Sequence, residues 1–150
     1  MSVLRRNMSI APAMSLICLV LPLLLSCSTF GDKKNDDKSL VEHIEAFNSA
    51  LRWEDFKIAA SVIPPQSQEE FWRLADKMQG RVRIMDFQIR NVSMEPGSQS
   101  WTAILRFRYY YTDDPHVRTK TLRQRWRFLE KEEVWQLVQF DLMELMPERP

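Results

Sequence analysis

Glycine is scarce: Gly31, Gly80 and Gly97 are the only ones in 150 residues. Phosphate-cradling loops and dinucleotide fingerprints need several glycines at short fixed spacings, so neither can be written here. His43 and His116 are the only histidines and stand far apart, outside any spacing such as H-E-x-x-H. No serine sits in a G-x-S-x-G or S-x-x-K context. Charge of one sign is missing too, with 21 basic residues against 20 acidic, which removes the electrostatic footprint of a nucleic-acid binder. The longest apolar stretch, residues 10–25, falls short of the roughly 20 residues a spanning helix needs, and Pro12, Ser15 and Pro22 interrupt it. Cysteine is limited to Cys18 and Cys27. No metal site, cofactor or catalytic group is expected from this inventory.

What is present begins at the N-terminus. A basic start (Arg5, Arg6), the apolar stretch and the small Ser26 form the three zones of an export signal, a segment that is removed and takes no part in the fold. The run Leu24-Leu25-Ser26-Cys27 resembles the lipobox of bacterial lipoprotein signal peptides, with Leu25 bulkier than the usual residue at its position. The resemblance implies diacylation of the Cys27 sulfur, cleavage before it and acylation of the new amine. Ser28, by the same family's sorting rule, implies the periplasmic face of the outer membrane rather than the inner membrane. Cys18 leaves with residues 1–26, so one cysteine remains and no internal disulfide is possible. Residues 27–38 then read as lipidated cysteine and polar tether, 39–142 as one folded domain, and 143–150 as a C-terminal tail with proline near its end. All the aromatic residues follow Cys27, enough for a real core.

Within the domain, Leu40, Val41, Ile44, Phe47, Ala50 and Leu51 recur at helical spacing. Asp37 or Ser39 can cap the start of that helix, and Glu42 completes a capping-box pattern with Ser39. A second short helix is expected from Trp53 or Glu54 to about Val62, burying Phe56, Ile58 and Ala59 or Ala60, with Pro64-Pro65 as its stop. A third runs from Ser67, boxed with Glu70, through Lys77 to Gly80. From Arg81 the period becomes two. The first strand, Val82 to Met94, changes parity and predicts a bulge near Met85-Asp86. The second places Trp101, Ala103, Leu105, Phe107, Tyr109 and Tyr111 on one face. The third, from about Val117 to Glu130, sets Leu122, Trp126 and Phe128 against Thr119, Thr121, Arg123, Arg125 and Arg127. The last spans Val134 to about Leu142.

Helices first and antiparallel strands second predict an α+β domain. The pattern Phe47-x-x-Ala50-Leu51-x-x-Glu54-Asp55-Phe56-x-x-Ala59-Ala60, followed by Phe71-Trp72 and by Gln124-x-Trp126-x-Phe128 with Val134-Trp135-x-Leu137, resembles the NTF2-like (cystatin-like) superfamily over about residues 38–142. That resemblance implies three helices on the concave face of a bent antiparallel sheet of about four strands. Such a fold hosts enzymes, carriers and assembly domains alike.

Two sets of residues are candidates for function. Arg106 and Arg108 share one strand face, and Arg123, Arg125 and Arg127 share one on the next strand. Together they form a candidate docking surface for an envelope protein or cell-wall partner. Like charges facing each other destabilise a sheet, which calls for carboxylates among Asp86, Glu95, Glu130 and Glu133, or on a partner. Trp101, Phe107, Tyr109, Tyr111 and Trp126 are either core or the lining of a small-molecule cavity. Acid–base catalysis in an apolar interior would need a carboxylate of raised pKa, for which Asp55, Asp86 and the three consecutive tyrosines are the only material. Asp55 reads as a helix cap. The expectation is a non-catalytic, membrane-tethered binding module, with a small-molecule carrier as the alternative.

Overall fold

The computed structural model describes the backbone of residues 32–147 and the side chains of residues 38–147. The export signal, Cys27 and the first part of the tether lie outside the described residues. Helix α1 spans Asp32–Arg52, α2 Phe56–Ala60 and α3 Gln68–Met78, which is entered through a 3-10 turn at Pro65–Ser67. Four strands follow: β1 Val82–Met94, β2 Ser100–Tyr111, β3 Asp114–Leu129 and β4 Val134–Phe140. They form one open antiparallel sheet in the order β1-β2-β3-β4. The protein is thus an α+β fold with its helices ahead of, and packed on one face of, a four-stranded sheet.

Alternation decides which face that is. Ala103, Leu105, Phe107 and Tyr109 of β2 are buried, as are Leu122 and Trp126 of β3 and Trp135 and Leu137 of β4. The helical stripe of Leu40, Ile44, Phe47 and Leu51 closes over them. Phe47 is the junction: its ring lies 6.0 Å edge-on to Trp126 and 6.4 Å from Phe71, which in turn meets Phe140 at 6.0 Å. Phe47 therefore links α1 to α3 and β3, and Phe71 carries the contact on to β4. Full burial of a side chain of this size is worth about 1.5–3 kcal/mol.

Several boundaries differ from the sequence reading, each for a local reason. Residues 32–38, expected as tether, are helical. None of them is Gly or Pro, so a helix nucleated by buried Leu40 and Ile44 extends backward at little cost, and Asp37 and Ser39 are interior rather than caps. Chain reversal after α1 shortens α2 and turns Ile58 to solvent. Asp55 does cap α2, its Oδ1 accepting from the Ile58 N–H at 3.2 Å. Ser67 occupies the cap position of α3 but its hydroxyl makes no capping bond, because the 3-10 turn before it already brings the chain into helical geometry. Strand β1 carries the bulge expected between Ile84 and Asp86 and a second between Ile89 and Asn91. A third bulge, in β4 opposite Arg125 and Trp126, lets both Leu137 and Phe140 serve the core. The last strand ends at Phe140 rather than Leu142, and Leu142 with the first residues of the expected tail forms a 3-10 turn, Leu142–Leu145, that buries Leu142 and Leu145, while Met146 packs against the core.

Candidate docking surface

The register places the arginines. On the sheet face away from the helices, Arg108 lies opposite Asp86 on one side and Thr119 on the other. Arg106 lies between Gln88 and Thr121. Arg123 opposes Ile104, Arg125 opposes Thr102, and Arg127 opposes Ser100. All five arginines thus share the outer face, yet no two of them are direct partners. The like-charge opposition anticipated from the sequence is avoided by register, because each basic position on one strand meets a Thr, Ile or Ser on the next.

Electrostatically the five divide into two kinds. Arg108 pairs with Asp86 at 3.5 Å. Arg125 donates through Nε to Glu95 Oε1 at 2.9 Å, and that oxygen also accepts from the Thr102 hydroxyl at 2.7 Å. The hydroxyl of Thr102 first, and then the Arg125 guanidinium, hold the Glu95 carboxyl below its ordinary pKa. Arg106, Arg123 and Arg127 are exposed and have no hydrogen-bond or ion-pair partner among the described residues. Asp86, Gln88, Arg106 and Arg108 line a shallow cleft of about 170 Å³ in this face. Asp86, whose facing was ambiguous in the sequence, points to the outer surface and serves Arg108.

A folded-state carboxylate with a lowered pKa contributes stability that is complete above its unfolded value and lost as pH falls through the lowered one. Glu95 is such a group. Glu95→Gln is therefore expected to lower the melting temperature modestly near neutrality and to flatten its acid limb, the two chains converging at low pH. A thermal unfolding series between pH 2.5 and 7 measures this; parallel acid limbs would contradict the assignment.

The candidate cavity residues sit on the opposite, helix-covered face. Phe107 and Trp126 are fully buried and Tyr109 nearly so. Trp101 packs edge-on to Trp135 at 6.4 Å, and Tyr111 stacks beneath the Arg118 guanidinium at 4.3 Å. Arg118 also pairs with Asp114, whose carboxyl is lowered in pKa by the hydrogen bond from His116 and then by Arg118. His43 hydrogen-bonds the Ser39 carbonyl through Nδ1 at 2.8 Å. Among the described residues no group of His, Cys, Asp or Glu is arranged to hold a metal ion, and no helix is long and apolar enough to cross a membrane.

One polar feature escaped the sequence reading. Gln124 falls on the core face of β3 between Leu122 and Trp126 and is buried with Asn48 of α1. The Gln124 Nε2 donates to Asn48 Oδ1 at 2.8 Å, and Asn48 Nδ2 donates to Gln124 Oε1 at 3.2 Å and to the Ile44 carbonyl at 2.7 Å. Trp126 Nε1 donates to the same Gln124 oxygen at 3.3 Å. The only sequence signal was an amide in the apolar register of a strand.

No family model and no curated protein matches the chain. Among solved structures it is similar to an LEH-like epoxide hydrolase of M. tuberculosis, at 16% identity and a TM-score of 0.48, over 69% of this chain and 84% of that one.

Proposed function

We propose that the protein is a non-catalytic module, lipid-anchored through Cys27 to the periplasmic face of the outer membrane, that docks an acidic envelope protein or cell-wall partner on its outer sheet face. One observation carries the reading. Arg106, Arg123 and Arg127 stand exposed on a single face without carboxylate partners among the described residues, while the neighbouring Arg108 and Arg125 pair with Asp86 and Glu95. Guanidinium groups present a planar fork that suits carboxylate or phosphate oxygens, and the intervening Thr119 and Thr121 add hydroxyl donors. Carriage in the interior has less support, since Phe107, Tyr109 and Trp126 are packed into the core.

The test is crosslinking of the full-length protein in its native membrane, comparing it with the triple variant Arg106→Glu, Arg123→Glu, Arg127→Glu. Recovery of the crosslinked partner is expected to fall at least tenfold. The melting temperature should move by no more than about 2 °C, because the three side chains are exposed and unpaired. Unchanged recovery would refute docking through this face. In the same preparation, Cys27→Ala is expected to abolish acylation and to leave residues 1–26 attached, read by mass spectrometry of the N-terminus.

A further inference from the structure

The turn that ends α1 departs from local preference. The Asp55 N–H donates to the Ala50 carbonyl at 2.8 Å and the Glu54 N–H to the Leu51 carbonyl at 3.2 Å, a double closure in which the residue at the Glu54 position takes the left-handed conformation and is usually glycine. Here that residue is glutamate with φ 57°. What glutamate adds is its carboxylate: Oε1 meets Arg83 Nη1 of β1 at 2.5 Å. The corner between α1 and the edge strand is thereby locked at the expense of an unfavourable backbone angle, a departure of the kind that marks functional positions.

Trp53, the residue before that corner, lies in solvent. It is 75% exposed, with the Arg52 guanidinium over its ring at 5.3 Å. Arg52, Trp53, Arg83, Ile84, Met85 and Tyr110 line a cleft of about 420 Å³, within the size range of ligand sites. Met85 lies in the β1 bulge, which turns it outward. Glu54 neutralises Arg83, whereas Arg52 has no carboxylate partner among the described residues, so the cleft combines the apolar Trp53, Ile84 and Met85 with one net positive charge. It adjoins the arginine face directly: Arg83 and Tyr110 pair across β1 and β2, one step from Asp86 and Arg108.

We infer that the Trp53 cleft is the anchor pocket of the docking surface, taking an apolar or aromatic side chain that is flanked by carboxylates in an extended acidic protein segment. Trp and Tyr beside Arg, at one end of a polar surface, are the residue types in which binding energy concentrates. The acidic flanks follow from the charge of Arg52 and of Arg106, Arg123 and Arg127 beyond it. This rests on the docking reading for the partner's acidic character but not for the pocket itself.

The probe is the peptide acetyl-Asp-Glu-Phe-Asp-Glu-amide, titrated into the full-length protein in detergent micelles while the Met85 methyl resonance is followed by NMR. Saturable displacement of that resonance is expected. Affinity should fall at least tenfold in Trp53→Ser and several-fold when the probe carries Ala for Phe or neutral amides for its carboxylates. No saturation at millimolar probe, equal binding by Trp53→Ser, or equal binding of the neutral peptide would each overturn the pocket. Trp53→Ser removes an exposed ring, and an unchanged melting temperature verifies that the fold is intact. Native-membrane capture separates the two readings: a Trp53→Ser chain that still captures its partner while the arginine triple variant does not sinks the pocket and leaves the arginine surface standing. Loss of capture in Trp53→Ser alone does the reverse.

Discussion

Gln124→Leu is expected to destabilise the domain by about 2–4 kcal/mol, although leucine matches the apolar surroundings of the site. The reason lies in what remains behind. Asn48, near the C-terminal end of α1, would lose both bonds to Gln124, and the Trp126 indole N–H would lose its acceptor. Each buried polar group left without a partner costs about 1–3 kcal/mol, whereas removing both partners together is far cheaper. The double variant Asn48→Leu, Gln124→Leu should accordingly cost less than the two single changes added. The coupling is expected on the order of 1–2 kcal/mol, read from a chemical-denaturation cycle. Strictly additive losses would mean that the amides are not a unit. Functionally, the pair fixes the rotation and height of α1 over β3, which a purely apolar seam does less strictly.

Phe47→Ala is expected to cost about 3–5 kcal/mol, the range for truncating a fully buried aromatic residue. Both ring contacts that join α1 to α3 and to β3 disappear together. For a domain of this size that corresponds to a fall in melting temperature on the order of 10–20 °C. Total stabilities are about 5–15 kcal/mol, so this one residue represents a large share. Differential scanning calorimetry of the two proteins gives the comparison. A fall under about 5 °C would show that the helical layer repacks around the void, and that Phe47 is not the junction described above.

Much of the architecture was legible because its periodicities are strong. The strict alternation of β2 from Trp101 to Tyr111 announced the buried face, and the parity change between Ile84 and Phe87 announced a bulge. A second change, between Ile89 and Val92, carried the same information: each inserted residue flips parity once, so two flips require two bulges. What could not be read was decided by contacts distant in sequence. Gln124 is tolerable in the core only because Asn48 comes to it from another element. Leu142 and Leu145 are buried because β4 ends beside an uncovered part of the core, and proline further on says nothing about that. The left-handed Glu54 was hidden because the conformation belongs to glycine by preference and is imposed here by the double backbone closure at the end of α1. At the candidate docking surface, the grouping of the arginines followed from alternation. Their division into paired and unpaired followed from register, which decides that Asp86 meets Arg108 while Arg106 meets Gln88.

The early start of α1 sets a distance. Between Cys27 and Asp32 a chain reaches at most about 17 Å even when drawn straight, at roughly 3.4 Å per residue, and α1 then continues as a rod about 31 Å long at 1.5 Å per residue. With acyl chains on Cys27, the near end of that rod would be confined close to the lipid headgroups. Its far end, bearing Trp53, would sweep an arc whose outer limit is about 50 Å from the bilayer, and the height at which a partner is met would be set by the tilt of a single helix.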